Sequence, residues 1–160
     1  MTATPCSKRG NGLGHYFDAM IKCPTIQELT AQGYLVPAKY WVPSEPDLAG
    51  LKIVMGDYVE GQLAARMDKP QLVGDVVTNW SRIAPTRKTL VCASGIQHSI
   101  HLSEAFAAIG VKSAHIDGET PKDERDEILE RFSDEDLQVL CNCMVCTEGT
   151  DIPAASCLIL

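Results

Sequence analysis

The stretch Lys88-Thr89-Leu90-Val91-Cys92-Ala93-Ser94-Gly95, followed by a helical pattern to Gly110 and then by Ser113-Ala114-His115-Ile116-Asp117-Gly118, decides the fold. Residues 88–93 read as a strand that Ser94-Gly95 closes. Leu102, Ala105, Phe106 and Ile109 recur at helical spacing, which predicts a helix with one apolar face ended by Gly110. Residues 113–116 read as a second strand that stops at Asp117-Gly118-Glu119. Thr120-Pro121 then predicts a helix with Thr120 at the N-cap, Pro121 at the first helical position and acids in the first turn. Its buried stripe is Ile128, Leu129 and Phe132.

Outward from this unit, Ser133-Asp134-Glu135-Asp136 reads as a solvated turn, Leu137 to Cys141 as a third strand and Ala155 to Leu160 as a fourth. Toward the N-terminus, Pro70 starts a helix carrying Leu72, Val73, Val76, Val77, Trp80 and Ile83, and a further helical stretch follows Tyr58. Trp80 reads as core rather than as a platform for stacking bases. Residues 34–43, β-rich but broken by proline, predict an edge strand entering a sheet. Tyr16 to Ile21 reads as a short helix, and Thr25 caps a second one running through Ile26, Leu29 and Thr30 to Gly33. Strands alternating with helices predict an α/β fold of βαβ units, its parallel sheet covered on both faces.

The chain has 160 residues and 17.4 kDa, enough for one α/β domain with an arm. With 45% hydrophobic and 22% charged residues it has globular proportions, and no apolar run approaches the roughly 20 residues that span a bilayer. The net charge of −7 argues against a histone-like binder. It is also uneven: residues 1–90 hold 10 Lys/Arg against 8 Asp/Glu, while residues 91–160 hold 4 against 13. Nucleic-acid contact in the second part therefore has to use selected groups. The seven cysteines lie at irregular spacing, and the N-terminus shows no basic flank with an apolar segment, which together predict reduced thiols and a cytoplasmic protein. An end inside an apolar strand at Leu160 suggests a piece of a longer protein.

In open α/β sheets ligands meet the carboxyl ends of the strands. Three loops there combine small or hydroxyl residues with glycine near a helix start: Ala93-Ser94-Gly95, Asp117-Gly118-Glu119-Thr120 and Cys146-Thr147-Glu148-Gly149-Thr150-Asp151. Backbone amides and hydroxyls of this kind suit a phosphodiester backbone whatever the net charge. The earlier Gly-rich loop, Cys6 to Gly14, lacks both GxxxxGK[ST] and GxGxxG spacing and reads as a plain loop.

These loops carry a resemblance. Thr2-Ala3-Thr4-Pro5 looks like motif III of superfamily 2 helicases, and Thr89 to Ser94 looks like motif IV. His115-Ile116-Asp117-Gly118 with Arg125 resembles the HG…R segment, and Val145 to Pro153 resembles motif V. The chain thus resembles the second lobe of a DEAD/DEAH-like DNA or RNA helicase, preceded by the tail of the first. The resemblance implies a three-layer RecA-like lobe of the P-loop NTPase type over residues 34–160, cut before motif VI. Residues 1–33 would be the end of the first lobe and the linker.

It also implies an ATP-driven motor, with ATP and Mg2+ between two lobes and a single strand of DNA or RNA across both. Ser94, Gly118, Thr120 and Thr147 would bind nucleic-acid backbone, Gly149 and Asp151 would border ATP, and Thr2 and Thr4 would couple the lobes. Arg125, between acids, reads as a solvated ion-pair former. The chain departs from the family in lacking a Walker A lysine, a DExx-type Walker B acid pair and a glutamine motif, and Ser7 and Arg9 stand where relatives usually carry an arginine and an acid. The isolated chain is therefore expected to hydrolyse no ATP and to hold no tightly bound cofactor. The implied partners are nucleic acid and the N-terminal lobe, with no membrane.

Other constellations compete. Cys141, Cys143 and Cys146 form CxCxxC, the start of a zinc or iron–sulfur pattern that needs a fourth ligand such as Cys157. His98 and His101 could share a metal at helical spacing but read as a polar face, and nothing beside any cysteine marks it as an activated nucleophile. The alternative to the motor is a non-motor α/β module that binds a nucleotide or protein, in which Gly149 to Asp151 is merely a turn.

Overall fold

The computed structural model describes residues 14, 16–42, 46–54, 56–134, 136–146 and 150–160. The chain divides into two units, residues 1–41 and 42–160. In the first, α1 (Ile26–Ala31) opens with a capping box. The Thr25 hydroxyl accepts the Glu28 N–H, and the Glu28 carboxylate accepts the Thr25 N–H at 2.8 Å. Gly33 follows the helix at φ 79°, the left-handed position that ends helices.

The second unit begins with a small antiparallel hairpin of β1 (Ile53–Val54) and β2 (Asp57–Tyr58), turned at Gly56 with φ 91°. Two helices follow, α2 (Glu60–Met67) and α3 (Pro70–Ile83), the latter with proline in its first turn. Then come β3 (Thr89–Cys92), α4 (Ile96–Ala108), β4 (Ser113–Ile116), α5 (Lys122–Ser133), β5 (Val139–Asn142) and β6 (Cys157–Ile159). The last four strands form one sheet in the order β4-β5-β3-β6, every pair parallel.

Strand alternation sends successive residues to opposite faces. Val91, Val139 and Cys141 pack with Val73, Val77 and Trp80 of α3 and with Leu102 and Phe106 of α4. On the other face Leu90, Leu140 and Ile116 pack with Ile128 and Phe132 of α5 and with Leu137. The result is the expected three-layer α/β lobe. Phe106 and Phe132, both fully buried, anchor the two layers, each stabilising by about 1.5–3 kcal/mol. Trp80 belongs to the core as expected: its ring meets Phe106 edge-on at 5.1 Å, and its Nε1–H donates to Thr89 Oγ1 at 2.7 Å.

The structure corrects several local expectations. Residues 16–21 form no helix. Six residues with no capping side chain, shortly before Pro24, cannot offset the cost of nucleating one. Residues 34–42 form no strand, since Pro37 has no N–H to donate to a ladder; Pro43 lies outside the described residues. The hairpin of β1 and β2 was not foreseen. Helix α5 starts at Lys122, with Pro121 rather than Thr120 at the N-cap, because the Thr120 hydroxyl and N–H both turn back to Asp117. Ser133 is its last residue rather than part of the turn. Ile109, placed on the apolar face of α4, caps the helix and is half exposed. Strand β6 begins two residues later than expected.

Candidate functional site

Cys92 of β3 and Ile116 of β4 both lie level with Asn142 of β5, so three strands end on one line. The Ala93 N–H donates to the Asn142 carbonyl at 2.9 Å and the Cys143 N–H to the Ile116 carbonyl at 3.1 Å. The loops after β3, β4 and β5 therefore leave the same edge of the sheet side by side, about 4.8 Å apart where they start.

After β3, Ser94 leads into Gly95, the N-cap of α4. The Ser94 Oγ lies 3.0 Å from His98 Nδ1, and the Ser94 N–H points at the same nitrogen at 3.4 Å. Burial holds His98 below the ordinary imidazole range, partly offset by the Asp68 charge, while His101 pushes the same way as burial. Because the Ser94 N–H donates to Nδ1, that nitrogen is the acceptor of the pair, and the Ser94 hydroxyl turns its proton inward to it. Gly95 is required for a packing reason: a Cβ there would lie 2.8 Å from the Ala64 Cβ of α2. Asp68, at the end of α2, bonds His101 Nδ1 at 2.7 Å.

After β4, Asp117 is only 7% exposed. Its Oδ1 accepts the Glu119 N–H at 2.8 Å, the Thr120 N–H at 3.0 Å and the Thr120 hydroxyl at 3.1 Å, while the Asp117 N–H donates to Thr120 Oγ1 at 2.9 Å. Oδ2 lies 3.1 Å from His115 Nε2, and His115 Nδ1 lies 2.6 Å from Ser99 Oγ. Burial alone would raise the Asp117 carboxyl, but the donors from His115, Glu119 and Thr120 outweigh it and hold the group below the usual carboxylate range. Ser99, His115 and Asp117 form a chain with the composition of a hydrolytic triad, yet Ser99 is fully buried and no substrate could reach it. Gly118 is exposed at the tip of the turn, and a Cβ on it would meet nothing within 4 Å.

After β5, the Asn142 side chain, 1% exposed, donates to the Val91 carbonyl at 2.9 Å and accepts the Cys146 N–H at 3.0 Å. Met144 between them takes φ 59°. Thr147 and Gly149 lie outside the described residues, as do Thr2 and Thr4. Asp151, just beyond, is exposed. Arg125, expected to be a solvated ion-pair former, is half-buried, forms no salt bridge among the described residues, and its charge lowers the Cys146 thiol against the larger effect of burial.

The structure thus brings Ser94 on one side, and Gly118 with Thr120 on the other, to loops that flank the start of the Thr147 loop. Sequence reasoning missed Asn142, His115 and Asp117 as residues that shape these loops. A polar residue at the end of an otherwise apolar strand, as in Cys141-Asn142-Cys143, was the available signal.

The CxCxxC cysteines do not converge: Cys141 packs with the α3/α4 face and Cys146 with the α5 face. Among the described residues no cluster of three His, Cys, Asp or Glu could hold a metal ion. Burial pushes the Cys141 thiol up to about 12 and also raises Cys143, where the Asp117 and Glu60 charges add to it, so neither is an activated nucleophile. Among the described residues no helix is long and apolar enough to cross a membrane.

The chain is similar to several known proteins. A 51.5 kDa protein of Lactococcus phage (isolate 7-9) is 32% identical over 99% of this chain and 35% of its own length. A protein of Schizosaccharomyces pombe named as the mitochondrial ATP-dependent helicase irc3 is 28% identical over 99% of this chain and 26% of its own length. The chain thus spans about a third or less of these relatives. The solved C-terminal domain of the DEAD-box protein Dbp5 aligns with a TM-score of 0.49 at 20% identity, covering 57% of this chain and 51% of that one. The pattern of the family described as "Helicase conserved C-terminal domain" matches residues 68–160, which hold all four strands of the parallel sheet and the three loops at its edge. The chain belongs to the helicase C-terminal domain family.

Proposed function

We propose that this chain serves as the second motor lobe of an ATP-dependent helicase or translocase, binding the phosphate backbone of a DNA or RNA strand along the common edge of β3, β5 and β4. The observation that carries this reading is the level ending of those three strands on one edge, where Gly118 lies exposed at the tip of its turn. The Gly118–Thr120 turn and Thr147 meet phosphates, Ser94 being turned inward to His98, and sequence preference is slight because no base-reading group lies among them. Gly149 and the exposed Asp151 border ATP once a first lobe closes over this edge, and Thr2 and Thr4 couple that lobe to the strand. The chain has no Walker A lysine and no DExx-type Walker B pair, the Asp-Glu pairs at 123–124 and 126–127 lying on α5 rather than at a strand end, so the groups that hold Mg2+ and the triphosphate belong to the first lobe.

The test uses the protein carrying both lobes. Thr147→Ala should weaken single-strand binding and nucleic-acid-stimulated ATPase together by about tenfold, the loss of one charge-assisted hydrogen bond, with the salt slope nearly unchanged. Unchanged strand affinity with a lowered melting temperature would reduce Thr147 to a structural cap and remove the reading of that loop.

A further inference from the structure

We propose that Asp117 is a positioning residue for backbone capture: it locks the turn 117–120 so that the Gly118 amide, rather than the Thr120 hydroxyl, faces the nucleic-acid phosphate. This rests on the reading of the strand-end edge as the nucleic-acid path.

The donors of the turn can be counted. Asp117 Oδ1 takes the Glu119 N–H, the Thr120 N–H and the Thr120 hydroxyl proton, and the Asp117 N–H is spent on Thr120 Oγ1. The Gly118 N–H is the donor that remains, on an exposed residue. Packing within the chain gives no reason for glycine there, since a Cβ would meet open space, whereas close approach of an external backbone does. The other carboxylate oxygen is braced by His115, and His115 by Ser99 in the first turn of α4, whose N–H returns to the Gly95 carbonyl at 3.0 Å. The turn is thereby tied to the start of the helix that follows Ser94, and the loops after β3 and β4 form one braced edge.

A carboxylate on a phosphate-binding edge is unfavourable by charge alone, so the sign of its effect is diagnostic. Positioning predicts that removing Asp117 weakens binding; electrostatics alone predicts that it strengthens binding.

The experiment measures anisotropy of a fluorescein-labelled single-stranded oligonucleotide against the full chain and its variants, with melting temperatures and the Gly118 amide resonance followed alongside. Asp117→Ala should weaken binding about five- to tenfold. Asp117→Asn keeps an oxygen in the Oδ1 place and should stay within about twofold of wild type. Thr120→Val should weaken binding alone but add nothing in the Asp117→Ala background, because Thr120 acts through Asp117. The Gly118 amide resonance should move as oligonucleotide is added to wild type.

Tighter or unchanged binding by Asp117→Ala, additive losses at 117 and 120, or a Gly118 amide that stays still while the strand binds overturns the proposal. Should Asp117→Ala fail to fold, Asp117→Asn and Thr120→Val decide it: losses of equal size in both overturn the positioning role, and a loss confined to Thr120→Val supports it. A wild-type chain that binds no oligonucleotide overturns the reading of the edge itself, and the proposal with it. Strand binding with an indifferent Asp117→Ala removes the proposal alone.

Discussion

Asn142 holds Cys146: the side-chain oxygen accepts the Cys146 N–H at 3.0 Å, while the amide end of the same side chain donates to the Val91 carbonyl on the neighbouring strand. One buried carboxamide thus fixes the start of the loop leading to Thr147. Asn142→Leu keeps the volume but leaves the buried Cys146 N–H without a partner and removes the side-chain donor to the Val91 carbonyl, and should lower stability by roughly 1–3 kcal/mol. Asn142→Asp keeps the acceptor for Cys146 but turns a carboxylate toward the Val91 carbonyl, and should also destabilise. Urea midpoints at neutral pH check both, and a Leu variant as stable as wild type contradicts this account.

Gly95 and Ala64 make a second close pair. At φ −173° the Gly95 backbone is unstrained for any residue, so the cost of Gly95→Ala comes from the Cβ placed 2.8 Å from the Ala64 Cβ. The variant should lose about 1–3 kcal/mol as α2 is forced off the start of α4. Ala64→Gly in the same chain should restore most of that loss despite its own helix cost, and thermal melts of the single and double variants measure the coupling.

The two histidines of α4 should titrate in opposite directions from the ordinary value of about 6.5. The hydrogen bond His101 donates to Asp68, then the Asp68 charge, raises His101, so the stability it adds is full below the unfolded pKa and fades as pH rises through the folded one. Burial lowers His98, so its contribution is present above the unfolded pKa and is lost as pH falls through the folded one. His101→Asn should therefore differ most from wild type in mild acid and converge with it in mild alkali. Imidazole NMR titrations together with melting temperatures from pH 5 to 8 read both effects.

Trp80→Phe removes the Nε1–H that bonds Thr89 Oγ1 but keeps an aromatic ring against Phe106. The Thr89 hydroxyl retains its bond to the Arg87 carbonyl at 2.9 Å, so the loss should stay near 1–2 kcal/mol, well below that of Trp80→Ala at about 3–5 kcal/mol. Denaturant curves of the two variants give the comparison.

Much of this architecture was legible because it is written in side-chain period. The strand at 88–93, the helical repeat through Phe106 and the stripe of Ile128 and Phe132 each bury one face, and burial is what periodicity reports. The failures share a different cause. At residues 16–21 and 34–42 apolar character is present without a face to bury, and the backbone there follows proline and chain length instead. The Thr120 cap failed because two local hydrogen-bond schemes compete for one hydroxyl, and the nearer acceptor, Asp117, takes it. The loops of the site could be located from strand ends and glycines. Their bracing could not, since Ser99, His115 and Asn142 meet their partners only after the sheet is assembled.

The strand order bears on how the chain is made. Strand β5 lies between β3 and β4, with Thr89 opposite Val139 on one side and Ser113 opposite the same residue on the other. A nascent chain leaving the ribosome therefore carries β3 and β4 with nothing between them until residues 139–142 emerge, and two unsatisfied strand edges wait through the synthesis of all of α5. Native pairing of β3 and β4 waits on that late insertion, and translation stalled before Val139 should yield a species prone to association with chaperones.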